Sequence, residues 1–164
     1  MKKFFFIIFI LSAMLIFCLF SCTKSSSLYD IVMSVTALDD SMPAGNIICY
    51  GQIYENSMSD DTLSEYLGLE GYPQFKDKIE QLAVYASVGG NYNELALLKL
   101  YRASDIADGV LFFERRIKAA KRVGIFESNV QNADNAYISV YGNVVVLYMM
   151  DDNEAVQSKV EKML

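Results

Sequence analysis

The chain has 164 residues, with 14 basic and 20 acidic side chains, no histidine, and a formal net charge of −6. Without histidine, the Ser-His-Asp and Cys-His mechanisms and the usual zinc sites fall away. An acidic balance argues against nucleic acid or a polyanionic wall polymer as a whole-surface partner.

In chain order, Lys2 and Lys3 precede an apolar run, Phe4 to Phe20, in which Ser12 is the clearly polar residue. Positive charge followed by an apolar stretch is the order of a secretory signal. As a helix at ~1.5 Å per residue the run reaches roughly 26 Å, slightly short of a hydrocarbon core of ~30 Å, which favours a cleaved signal over a spanning anchor. Leu19-Phe20-Ser21-Cys22 comes next. It resembles the lipobox of bacterial lipoproteins, with Leu at −3, a small residue at −1 and the lipidated Cys at +1; Phe20 stands where that motif usually has a smaller side chain. Thr23 to Ser27 is a polar tether. The expected organisation is a signal peptide over residues 1–21, a lipidated Cys22 with its tether over 22–27, and one domain over 28–164. A Cys22 anchor places that domain at the extracytoplasmic face of the cell membrane, where stable attachment takes more than one acyl chain.

Removing Lys2 and Lys3 with the signal leaves 12 basic against 20 acidic side chains, so the net charge moves from −6 to −8. The remaining 143 residues are about the size of one domain, and their Leu, Ile, Val and Tyr content suffices for a core. Of the three cysteines, Cys18 leaves with the signal and Cys22 takes the lipid, so Cys49 has no intramolecular disulfide partner. In the apolar run Ile47 to Tyr50, Cys49 reads as a small buried hydrophobe. With no histidine to lower its pKa, a catalytic thiol is disfavoured.

Leu28, Ile31, Val32, Val35 and Leu38 have helical spacing. Asn46 to Tyr54 reads as a short strand or an extended loop. Ser59-Asp60-Asp61 starts a short helix over Leu63 to Leu67. Ile79 to Val88 and Glu94 to Tyr101, joined through Gly89-Gly90-Asn91-Tyr92-Asn93, predict an antiparallel hairpin. A long helix follows over Ser104 to Val123, burying Ile106, Val110, Phe113, Ile117 and Ala120. A second hairpin pairs Tyr137–Tyr141 with Val144–Met150 around Gly142-Asn143. A last helix runs to about Met163, with Asp151 as N-cap and Glu154 at N3. The predicted fold class is α+β: an antiparallel four-stranded sheet of two hairpins, each followed by a helix, with helices on one face, plus N-terminal helices. Val144 to Met150 is apolar on both faces, as suits a central strand.

The Cys-anchored tether, Tyr66-Leu67-Gly68-Leu69, the strand Asn93 to Lys99, Arg115-Arg116 and the late Gly142-Asn143 hairpin occur together. In this combination the chain resembles a family of small lipoproteins from Gram-positive anaerobes, the domain of unknown function 4358. The resemblance covers most of Leu28 to Leu164. It implies the domain boundary, the compartment and the element order, and brings no catalytic residues with it.

Chemistry has few candidates. The pairs Asp39-Asp40, Asp60-Asp61 and Asp151-Asp152 can hold a cation or hydrolyse glycosides. Each lies at a predicted helix end, where capping and dipole terms explain it better. EF-hand spacing and a phosphate-binding glycine loop before a helix are missing, so no metal or cofactor is expected. Five of the 12 basic residues after the signal fall between Arg115 and Arg122. Arg115, Lys118 and Arg122 share one helix face, opposite Ile106, Phe113 and Ile117. A solvated face that complements the helix dipole is one reading; the other is a patch for anionic lipid or an acidic envelope protein. Tyr85, Tyr92, Tyr101, Tyr137, Tyr141 and Tyr148 lie in or beside the hairpins, where sheet packing competes with a stacking surface for sugars or peptides. The leading expectation is a lipid-anchored, non-enzymatic binding or interaction module. The alternatives are a carboxylate-dependent hydrolase of cell-envelope glycan and an accessory subunit of a membrane complex.

Overall fold

The computed structural model describes residues 27–37, 42–51, 54, 57–67, 73–88, 92–123 and 127–164. The signal run, Cys22 and the Asp39-Asp40 pair lie outside these residues. Helix α1 (Leu28–Ala37) leads to strand β1 (Gly45–Tyr50) and helix α2 (Asp60–Leu67). After a 3-10 turn (Pro73–Lys78) come β2 (Ile79–Ser87) and β3 (Glu94–Leu100). A second 3-10 turn (Ala103–Asp105) opens into α3 (Ile106–Val123), followed by α4 (Glu127–Asp134). The chain closes with β4 (Tyr137–Tyr141), β5 (Val144–Met149) and α5 (Asn153–Glu161).

The class is α+β, and the sheet is antiparallel with strand order β1-β2-β3-β5-β4. It has five strands where four are expected. The extra one is β1, which pairs with β2 over Gly45↔Ser87 to Tyr50↔Leu82, so that the ambiguous Asn46–Tyr54 segment is an edge strand as far as Tyr50. The two predicted hairpins are present and join through β3 and β5, from Glu94↔Met149 to Lys99↔Val144. Gly142 takes φ 60° at the first position of the β4–β5 turn, where glycine lets a two-residue turn follow the strand twist. Asn143 ties that turn to the end of β3 by donating its amide to the Leu100 carbonyl (2.6 Å).

The helices do not share one face, contrary to the sequence expectation. Alternation along β3 and β5 sends Ala96, Leu98, Val145 and Leu147 to one side and Leu95, Leu97, Val146 and Tyr148 to the other, all fully buried. Both sides therefore require a cover, and the helices divide between them. α2, α3 and α4 pack on the first side with Leu63, Phe112, Phe113 and Ala133. α1 and α5 pack on the second with Leu28, Ile31, Val32, Val35, Val156 and Val160. The result is a three-layer arrangement with the sheet in the middle.

Local signals place the helices. Ser27 caps α1 by accepting the Asp30 N–H (3.1 Å), and Ser59 caps α2 by accepting that of Thr62 (3.2 Å). Asp60 and Asp61 sit in the first turn of α2, where carboxylates complement the dipole. α3 lies close on the sheet because Gly109 faces it: a Cβ there would come within 3.1 Å of both Leu100 and Val145 side chains.

Candidate functional site

Cys22, the expected lipidation site, lies outside the described residues. The basic residues of α3 are within them and separate into inward and outward sets. Arg115, Lys118 and Arg122 are all exposed, in one row along the solvent side of the helix. Leu111, 39% exposed, stands at the head of the row, one turn before Arg115. Lys121 turns aside to pair with Asp134 of α4 (2.8 Å). Glu114 lies on the flank of the row and is exposed.

Arg116 does something different. Its Nε and Nη2 donate to Oε1 and Oε2 of Glu94 at 2.5 and 2.7 Å, a two-pronged charge-assisted pair. Glu94 opens β3 and is 4% exposed. The Tyr66 hydroxyl of α2 donates to the same Oε1 (2.7 Å), and the Arg116 guanidinium stacks 4.3 Å from the Tyr66 ring centre. Burial first, and the Glu94 carboxylate second, push the Tyr66 phenol well above its usual value. Both oxygens of Glu94 are thus committed to holding α2 and α3 against the head of β3. By fixing Arg116 inward, this clamp sets the rotation of α3 that turns Arg115, Lys118 and Arg122 to solvent. The cluster was missed from sequence because its members are separated by 22 and 28 residues. The one local signal was a glutamate heading a strand whose next four residues are apolar.

The aspartate pairs serve several purposes. Asp152, not Asp151, caps α5, accepting the Ala155 N–H (2.9 Å). Asp151 is drawn away because its carboxylate accepts from Asn93 (3.1 Å) and from Asn132 of α4 (2.8 Å), while its N–H donates to Asn93 Oδ1 (2.8 Å). Asn93 and Asn132 are both buried, so these bonds satisfy polar groups that water does not reach. Asp60 pairs with Lys76. Among the described residues, no group of three or more Cys, Asp or Glu side chains is placed to hold a metal ion.

Cys49 is fully buried against the α1 face, and burial raises its thiol pKa above the ordinary value. The hairpin tyrosines do not form an exposed row. Tyr85 and Tyr148 are buried, Tyr137 stacks on Tyr148 at 5.0 Å between ring centres, and Tyr101 is the strongly exposed one at 62%. No helix of the described residues is long and apolar enough to cross a membrane. The chain matches no family model, no curated protein and no solved structure.

Proposed function

We propose that this chain is a lipid-anchored extracytoplasmic lipoprotein whose folded domain is a binding or interaction module without catalysis of its own. The observation that carries the second half is where the reactive side chains stand. Glu94 is clamped by Arg116 and Tyr66, Asp151 is held by two asparagines, and Asp152 caps a helix. Arg115, Lys118 and Arg122 are exposed along one side of α3, on a chain of net negative charge. The module is tethered through Cys22 after removal of residues 1–21, and its likeness to the domain of unknown function 4358 lipoproteins is part of the same proposal.

A glycan hydrolase needs two carboxyl groups about 5–10 Å apart across a space that admits the sugar. Asp151 and Asp152 are instead engaged by a polar seam and a helix cap. Intact mass and membrane fractionation of the native protein beside Cys22→Ala test the anchor. The expected results are a chain starting at a diacylated Cys22 and release of the variant. An uncleaved chain that stays in the membrane without Cys22 overturns the anchor. Turnover of an envelope glycan by the pure protein, lost on Asp151→Asn or Asp152→Asn, overturns the non-catalytic reading.

A further inference from the structure

We propose that the outer row of α3, Leu111 with Arg115, Lys118 and Arg122, docks a carboxylate-bearing surface of a second protein, on the side of the domain turned away from the anchoring bilayer. The second half of this inference rests on the lipid-anchor reading; the first half stands on the row itself.

α1, the first described element, packs on one face of the sheet, and α3 packs on the other. Neighbouring layers lie roughly 10 Å apart, so the α1 and α3 axes are about 20 Å apart across the sheet. A helix with its side chains adds ~5 Å more, which puts the basic row about 25 Å from the α1 axis. Ser27 is fixed to the body of the domain: its carbonyl accepts the Ile31 N–H (3.1 Å), and its hydroxyl lies 2.9 Å from that of Tyr54. From Ser27 back to Cys22, the chain spans at most ~18 Å whatever its conformation. A lipid at Cys22 therefore cannot reach a membrane plane that lies flat against all three cations. Tipping the domain on edge brings one end of the row to the surface and leaves the rest in water.

Charge and composition select the partner. Three cations along one helix face complement carboxylates at short, regular spacing. Leu111 adds an apolar contact at the end of the row, which a protein surface uses and a phosphate polymer does not. The net charge of −8 after loss of the signal repels an extended polyanion over the rest of the surface, whereas a compact acidic patch meets only the row.

The test uses the processed, full-length lipoprotein in vesicles of phosphatidylcholine, with and without phosphatidylglycerol. An Ala119→Cys variant carries a nitroxide beside the row, because Ala119 is exposed and Cys49 is buried. The label is expected to stay equally open to a water-soluble relaxing agent on both vesicles. A short glutamate peptide, tetra-L-glutamate, small enough to meet only the row, serves as the acidic probe. Its affinity for the protein at low salt is expected to fall about tenfold or more in the variant R115E/K118E/R122E, with thermal unfolding unchanged. Burial of the label in lipid on the anionic vesicles overturns the outward orientation. Tetraglutamate that binds neither protein, or both alike, overturns the docking row. Intact mass reports the anchor separately: a chain that keeps residues 1–21 defeats the anchor reading, and the tetraglutamate comparison then decides the row alone.

Discussion

Replacing Arg116 by methionine leaves the Glu94 carboxylate buried without its cation. The expected cost is about 3 kcal/mol in urea unfolding, because an orphaned interior charge is the expensive case. The double variant Glu94→Leu with Arg116→Met is expected to recover most of that loss. A second residue-scale prediction concerns Tyr148, whose phenol is raised far above its usual value, first by burial and then by the neighbouring Tyr141. A phenol raised in the folded state holds its proton more tightly there than in the unfolded chain. The stability it contributes is complete below about pH 10 and is lost as pH climbs beyond it. Unfolding midpoints measured from neutral pH to about pH 11 should fall less steeply for Tyr148→Phe than for the native chain. At this scale the sequence was half legible. Helical phase read from Phe113 and Ile117 placed Arg115, Lys118 and Arg122 outward, and the structure has them there. Nothing local distinguished Arg116 from Arg115, since its partner lies on a strand 22 residues earlier.

At the scale of elements, two contacts decide how helices are seated. Gly109→Val forces side-chain atoms into the space where α3 meets Leu100 and Val145, and overpacking there should cost about 2 kcal/mol by chemical denaturation. Asp152→Ala removes the α5 cap and is expected to cost about 1 kcal/mol, with the loss confined in circular dichroism to the helical signal at low denaturant. The long amphipathic helix and both hairpins were legible because each carries its own period and its own turn residues. α4 was not: Glu127 to Asp134 contains two apolar residues, Val130 and Ala133, too few to show a period. β1 was ambiguous for another reason. A six-residue edge strand is decided by the neighbour that offers it hydrogen bonds, and here that neighbour is β2. The choice of Asp152 over Asp151 as cap was likewise made by Asn93 and Asn132, from outside the helix.

For the whole molecule, the two-sided sheet predicts a gradient of stability. β3 and β5 are buried by helices on both faces and flanked by strands on both edges, while β1 and β4 are the outermost strands, with one isolated bridge, Cys49 to Ser57, on the far side of β1. Native-state hydrogen exchange should therefore find the slowest amides in β3 and β5 and faster ones in β1 and β4. Equal protection across all five strands would mean that the sheet opens as one unit. The central place of β5 was readable from its unbroken apolar run. The side of the sheet taken by each helix was not, because an amphipathic stripe shows that a helix buries a face and not which layer receives it.

One consequence follows from the residues at the ends of β3. A strand that is apolar on both sides has lost the usual guard against misalignment, since a shift by one position still buries apolar side chains on either face. In Glu94-Leu95-Ala96-Leu97-Leu98-Lys99-Leu100 that guard is restored by the two charged residues. Glu94 finds its cation on α3, and Lys99 finds its carboxylate at Glu80 of β2 (2.7 Å). A slipped strand would drag one of them off its partner and into the apolar layer. The pair acts as stops at the two ends of a slide, and the alignment of the whole sheet is set by where they come to rest.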